Sequence, residues 1–214
     1  MTTLVADLTD PTTWHRYLED FDTFDLNQWI ITAVQSGGGT TSEALADGDG
    51  GWLQITTGSS DNDSDALQKV GEGFRFAAGK RAYFKARFKL SDATQTDLVL
   101  GLQITDSTPF DVTDGVYFQK DDGDAFLDFR VEKNNTATAV TGVATLADDT
   151  FVVAAFAYDG GSALRVYVDE VQVATVATTN LPDDEDLTVS FALQNGEAAS
   201  KTLTLDYVFA AKER

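Results

Sequence analysis

The chain has 214 residues and carries 35 Asp and Glu against 15 Lys and Arg, a formal net charge of −20. That sign disfavours nucleic acid, whose binding requires neutralised phosphates, and disfavours anionic membranes. With no Cys and a single His, His15, composition excludes thiolate catalysis, Cys-bound zinc and multi-His metal sites, and it predicts neither a cofactor nor an enzyme.

The first segment, MTTLVADLTDPTTWHRY, has neither the basic head nor the apolar stretch of a secretory signal. No apolar run reaches the roughly 18 residues of a membrane span. TDPTTWHRYLED reads as a short capped helical turn from Thr13 to Leu18, and residues 1–20 as an N-terminal arm ahead of one domain at 21–214. Leu4, Val5, Leu8, Trp14 and Tyr17 have no evident strand to fill, which makes them candidate partner contacts.

From about residue 50 onward apolar residues recur every second position. The clearest strand is AYFKARFKL (82–90), with Phe84, Ala86, Phe88 and Leu90 facing one way and Tyr83, Lys85, Arg87 and Lys89 the other. Leu98–Leu100–Leu102–Ile104, Val116–Phe118 and Leu127–Phe129–Val131 repeat the pattern. It continues through FVVAAFAY (151–158), LRVYV (164–168), VQVATV (171–176), LTVSFAL (187–193) and LTLDYVF (203–209). Asp169-Glu170 reads as a two-residue hairpin turn, and the three prolines, Pro11, Pro109 and Pro182, fall between strands. One apolar face per strand predicts an all-β, antiparallel two-sheet β-sandwich.

Certain stretches resemble a known family. EDFDTFDLNQWII, GGWLQITTG, the hairpin LRVYVDEVQVATV and the closing LTLDYVFA are similar to the concanavalin-A-like, or laminin-G-like, jelly rolls. More narrowly, GGWLQITTG, the acidic loop and FRFAAGKRAYFKARFKL resemble small acidic virion proteins of tailed bacteriophages, among them capsid decoration proteins. That resemblance implies a virion component at the capsid surface that is made in the host cytoplasm. Its expected partners are the major capsid protein and further copies of itself in a homo-oligomer. The alternative is a carbohydrate-binding or lectin-like adhesion module.

Four constellations bear on chemistry. Asp128-Phe129-Arg130-Val131-Glu132 approaches the paired-carboxylate strand of jelly-roll glycoside hydrolases, but Arg130 stands where a carboxylate is required and favours a charge ladder. Asp61-Asn62-Asp63-Ser64-Asp65 alternates oxygen ligands as Ca²⁺ loops do, with Ala66 in place of the turn glycine and Glu72 at the final spacing. Trp14, Trp29, Trp52, Tyr83, Tyr117 and Tyr167 are either a sugar-stacking platform or core and sheet-face residues; Trp29 and Trp52 read as core. Lys85, Arg87 and Lys89 are either a docking face for an acidic partner or cross-strand mates of carboxylates such as Asp128 and Glu132.

Overall fold

A computed structural model describes residues 10–37 and 39–214; Leu4, Val5 and Leu8 lie outside the described residues. The strands in chain order are β1 (Trp14–Glu19), β2 (Trp29–Val34), β3 (Ser42–Ala46), β4 (Trp52–Thr56), β5 (Ser64–Lys69), β6 (Ala82–Leu90), β7 (Thr96–Gln103) and β8 (Gly115–Lys120). They continue as β9 (Phe126–Lys133), β10 (Thr136–Thr145), β11 (Val152–Tyr158), β12 (Ala163–Val168), β13 (Val171–Ala177), β14 (Thr188–Asn195) and β15 (Thr202–Glu213). A 3-10 turn, Leu26–Gln28, leads into β2, with the Asp25 side chain accepting from Asn27 N–H. No helix among the described residues is long and apolar enough to cross a membrane.

These strands form two antiparallel sheets, as their alternation predicts. Sheet A runs β13-β12-β11-β6-β15-β4-β3, with β1 also on β15; sheet B runs β10-β9-β8-β7-β14-β5-β2. The connectivity leaves most sequence neighbours in opposite sheets, the jelly-roll arrangement. One side of β15 accommodates two strands, because β4 takes its Thr202–Leu205 half and β1 takes Val208–Glu213. A bulge between Leu205 and Tyr207 separates the two halves.

The expected helical turn at Thr13–Leu18 is therefore corrected. WHRYLE is strand β1, so residues 14–19 of the segment read as an arm belong to sheet A. Trp14, Tyr17 and Leu18 supply strand-forming bulk, and the free edge of β15 supplies the hydrogen bonds; local capping potential loses to that pairing. Trp14 is 1% exposed, packed on Tyr83 beside the Arg81 guanidinium on the outer face of sheet A, so the chain's own side chains cover it rather than leaving it open to a partner. Tyr17 is half-buried edge-on to Trp29, under the Lys69 ammonium.

The core lies between the sheets. Phe84, Phe88 and Phe156 of sheet A meet Phe118, Phe129 and Phe191 of sheet B, each at most 1% exposed. Phe156 stacks on Phe84 at 5.5 Å within its own sheet and reaches Phe129 at 5.5 Å in the other. Each such ring contributes about 2–3 kcal/mol by leaving water. Burial along β6 alternates without exception, with Tyr83, Lys85, Arg87 and Lys89 outward as predicted. The Asp169-Glu170 turn is also as read, both residues having positive φ, 47° and 67°.

Candidate functional site

Sheet B places a second small apolar cluster on its outer face. Val99, Tyr117, Ala66 and Ala192 project there and are covered by Val112 and Phe110 of the 104–114 loop. Polar side chains of the sheet pin this loop. Gln68 donates to Ile104 O (2.9 Å) and accepts from Asp106 N–H (2.9 Å), while Gln103 donates to Pro109 O (3.1 Å). The middle of the face is thus closed, and an open depression remains at either end.

One depression, about 310 Å³, lies at the turn end of β8, β9 and β10, lined by Asp121, Asp124, Phe126, Asp128, Thr141 and Gly142. Local sequence builds it. The DDGD turn is closed by Gly123 at φ +92°, and Asp124 accepts from Phe126 N–H (2.8 Å). A register shift in β10 between Val140 and Ala144 swings Thr141 and Gly142 over the end of β9, where Gly142 N–H donates to Asp128 (2.7 Å). Asp121 accepts from the Gln119 amide (2.6 Å). Each of the three carboxylates is held by one such hydrogen bond, and all three residues line the depression. Among them the Phe126 ring stands 50% exposed. The second depression, about 270 Å³, is more apolar, with Val34, Ala66, Pro109 and Phe110 beside Thr32 and Gln194.

Asp128, Arg130 and Glu132 do share the outer face of β9, as their spacing implies, but the structure separates their roles. Glu132 is buried, accepts from the Tyr117 hydroxyl (2.7 Å) and pairs with Arg130 (3.2 Å). Burial first, then Glu132, holds the Tyr117 phenol well above its ordinary pKa, so this hydroxyl stays a donor. Glu132 is thus engaged within the fold, whereas Asp128 reaches the open depression.

The other candidates fall elsewhere. Trp29 is core, but Trp52 alternates outward on β4 and packs on Phe151 (5.3 Å) beneath Lys89, half-buried, correcting its reading as core. Tyr117 is covered by the 104–114 loop, Tyr83 lies 5.6 Å from Trp14, and Tyr167 sits on distant β12, so the six aromatics make no common platform. Lys85, Arg87 and Lys89 belong to sheet A and cannot reach Asp128 or Glu132 in sheet B. Their mates are Glu170, Asp206 (2.7 Å) and Asp149 (3.6 Å) respectively.

The Asp61–Asp65 loop does not converge on a cation. Asp63 turns back to accept from Ser36 and Ser60 N–H (2.7 and 3.0 Å), which hold its pKa low, while Asp65 points into the sandwich. Among the described residues, the carboxylates close enough to share a metal ion are Glu19, Asp20 and Asp22. Composition gave no hint of the Phe126 depression. Its only sequence trace is an aromatic residue two positions after an acidic turn, on a strand whose apolar positions, Leu127 and Phe129, have the opposite parity.

No protein-family model matches the chain, and no curated protein matches it. Many solved structures do. An endo-1,3-β-glucanase from Streptomyces sioyaensis superposes with a TM-score of 0.67 at 15% identity, over 95% of this chain and 98% of that one. A Bacillus licheniformis β-glucanase gives 0.66 at 14% identity, over 91% and 97%. The carbohydrate recognition domain of Emp46p, in a potassium-bound form, gives 0.59 at 10% identity, over 90% and 93%. At such identities the likeness is one of fold: a concanavalin-A-like jelly-roll sandwich.

The comparisons also correct the expectation that the chain is not an enzyme. Two of these three structures are glucanases, and a pair of carboxylates suffices for glycoside hydrolysis, so scarcity of His and Cys excludes nothing in that class.

Proposed function

We propose that this protein binds carbohydrate, using the depression at the turn end of β8, β9 and β10. The observation that carries this reading is the exposed Phe126 ring bordered by Asp121, Asp124 and Asp128. The C–H face of a pyranose stacks on an aromatic ring, and its hydroxyls donate to carboxylates already oriented by hydrogen bonds from Gln119, Phe126 and Gly142. A concave site with an apolar floor and few fixed polar groups is the general form of a small-ligand site. The glucanases and the carbohydrate recognition domain on the same fold add support. The virion reading, with its capsid partner and homo-oligomer, finds no counterpart among those structures.

The test is calorimetric titration of β-1,3- and mixed-linkage glucan oligosaccharides, backed by a broad glycan array, with reducing-end release followed in parallel. Binding is expected to weaken about tenfold or more in Phe126→Ala and in Asp128→Asn, each a loss of about 1.4 kcal/mol or more. Absence of binding to any glycan, or unchanged affinity in Phe126→Ala, overturns the proposal.

A further inference from the structure

A buried carboxyl of sheet B meets a half-buried carboxyl from the edge of sheet A. On β5 the interior positions are Asp65, Leu67 and Lys69, and Asp65 is 0% exposed beside Leu193 of β14 and Ala33 of β2. Glu43, opposite the buried Ile55 in the register of β3 with β4, faces the same interior from the other sheet. No N–H or hydroxyl donates to either Asp65 oxygen in good geometry, and the Glu43 carboxyl is its hydrogen-bonding neighbour. Two carboxylates cannot hydrogen-bond to each other without a proton between them.

We propose that Asp65 and Glu43 share a proton that ties the β3 edge of sheet A to β5 of sheet B, and that loss of this proton loosens the edge. The surroundings leave no substitute. The interior faces of β2 (Trp29, Ile31, Ala33), β4 (Leu53, Ile55) and β14 (Phe191, Leu193) carry no charge. Asp63 is engaged by Ser36 and Ser60, and the Lys69 ammonium lies over the Tyr17 ring. Ala66 N–H gives only a weak opposing pull. An ionised Asp65 would therefore be a buried charge without compensation, beside a second negative charge.

Burial above all, and Glu43 after it, push the Asp65 carboxyl up to about 8. β3 is also placed to move. It is an edge strand with Leu45 47% exposed, and β2, the edge strand of sheet B, likewise leaves Ile31 38% exposed. The opposite side of the sandwich is closed where β10 approaches β13.

The sign follows from linkage. A carboxyl whose folded pKa lies above its unfolded value makes folding less favourable as pH rises from the unfolded value toward the folded one. Native-state hydrogen exchange at about pH 6 and about pH 9.5, corrected for intrinsic rates, tests the device. In the wild-type chain, protection of residues 42–46 should fall about tenfold relative to β6, with Asp65→Asn and Glu43→Gln showing no such fall. Carbonyl ¹³C NMR should place the Asp65 titration near the value above. Unchanged β3 protection in the wild type, the same fall in both variants, or an Asp65 titration in the ordinary carboxylate range overturns the proposal. So does Ca²⁺ alone restoring protection at high pH, since a cation would then be the bridging group.

Discussion

Asp92 is the acidic side chain on which several separate parts of the chain depend. Its carboxylate receives the Lys201 ammonium (2.7 Å) and the N–H groups of Thr94 and Gln95 (both 2.9 Å). Burial raises its pKa, but Lys201 and the two amides outweigh that and bring it down to about 2. Because the folded value lies below the unfolded one, the resulting stability is fully present above about pH 4 and is lost as pH falls toward 2. Asp92→Asn should destabilise the protein by about 1–2 kcal/mol near neutrality and by much less at about pH 2. Urea titrations across that range measure both. The spacing of Asp92 and Lys201 in the sequence gives no warning of this pair, since it depends on the β6–β7 turn meeting the start of β15. Glu132 and Tyr117 teach the same lesson: the parity that puts them on one face is legible, but their contact depends on a register between β8 and β9.

At the level of elements, the alternation in β6 and β11 transferred directly into burial, because a pleated strand with one wet face has little freedom in where its side chains go. β1 was misread because six residues carry too little periodicity to distinguish a capped turn from a strand completing an edge. The cover on the outer face of sheet B is not legible in the sequence for a different reason. Its apolar residues, Val99, Val112 and Tyr117, find each other only when the 104–114 loop folds back over the sheet. Gly101 makes room for that layer: a Cβ there would stand 2.5 Å from Tyr117 Cα and 2.6 Å from Val116 O. Gly101→Ala should therefore force β7 and β8 apart and cost about 2–4 kcal/mol, read as a lowered urea midpoint. A drop under about 0.5 kcal/mol would mean that the two strands part easily.

For the whole molecule, charge is the dominant global term. At −20 the folded chain concentrates repulsion that the expanded chain relieves, although ion pairs such as Arg87–Asp206 and Lys133–Asp183 offset part of it locally. Screening lengths of about 10 Å at 0.1 M salt shorten to about 3 Å at 1 M, which removes long-range repulsion before it weakens close pairs. The melting temperature should accordingly rise by several degrees between low salt and about 0.5 M NaCl. A flat or falling curve would mean that the surface ion pairs outweigh the net repulsion. The same negative field disfavours anionic ligands near Phe126 and is compatible with neutral sugars.

The order of residues was enough to specify two antiparallel layers, their inward faces, the hairpin at Asp169-Glu170 and a negative surface, because period-two alternation, turn chemistry and charge are local properties of the chain. The Phe126 depression, the Asp65–Glu43 pair and the cover over Tyr117 were settled by tertiary structure alone. Each joins groups whose distance is set by strand register, a bulge or a folded-back loop, and these are fixed only when the two sheets close on a common core.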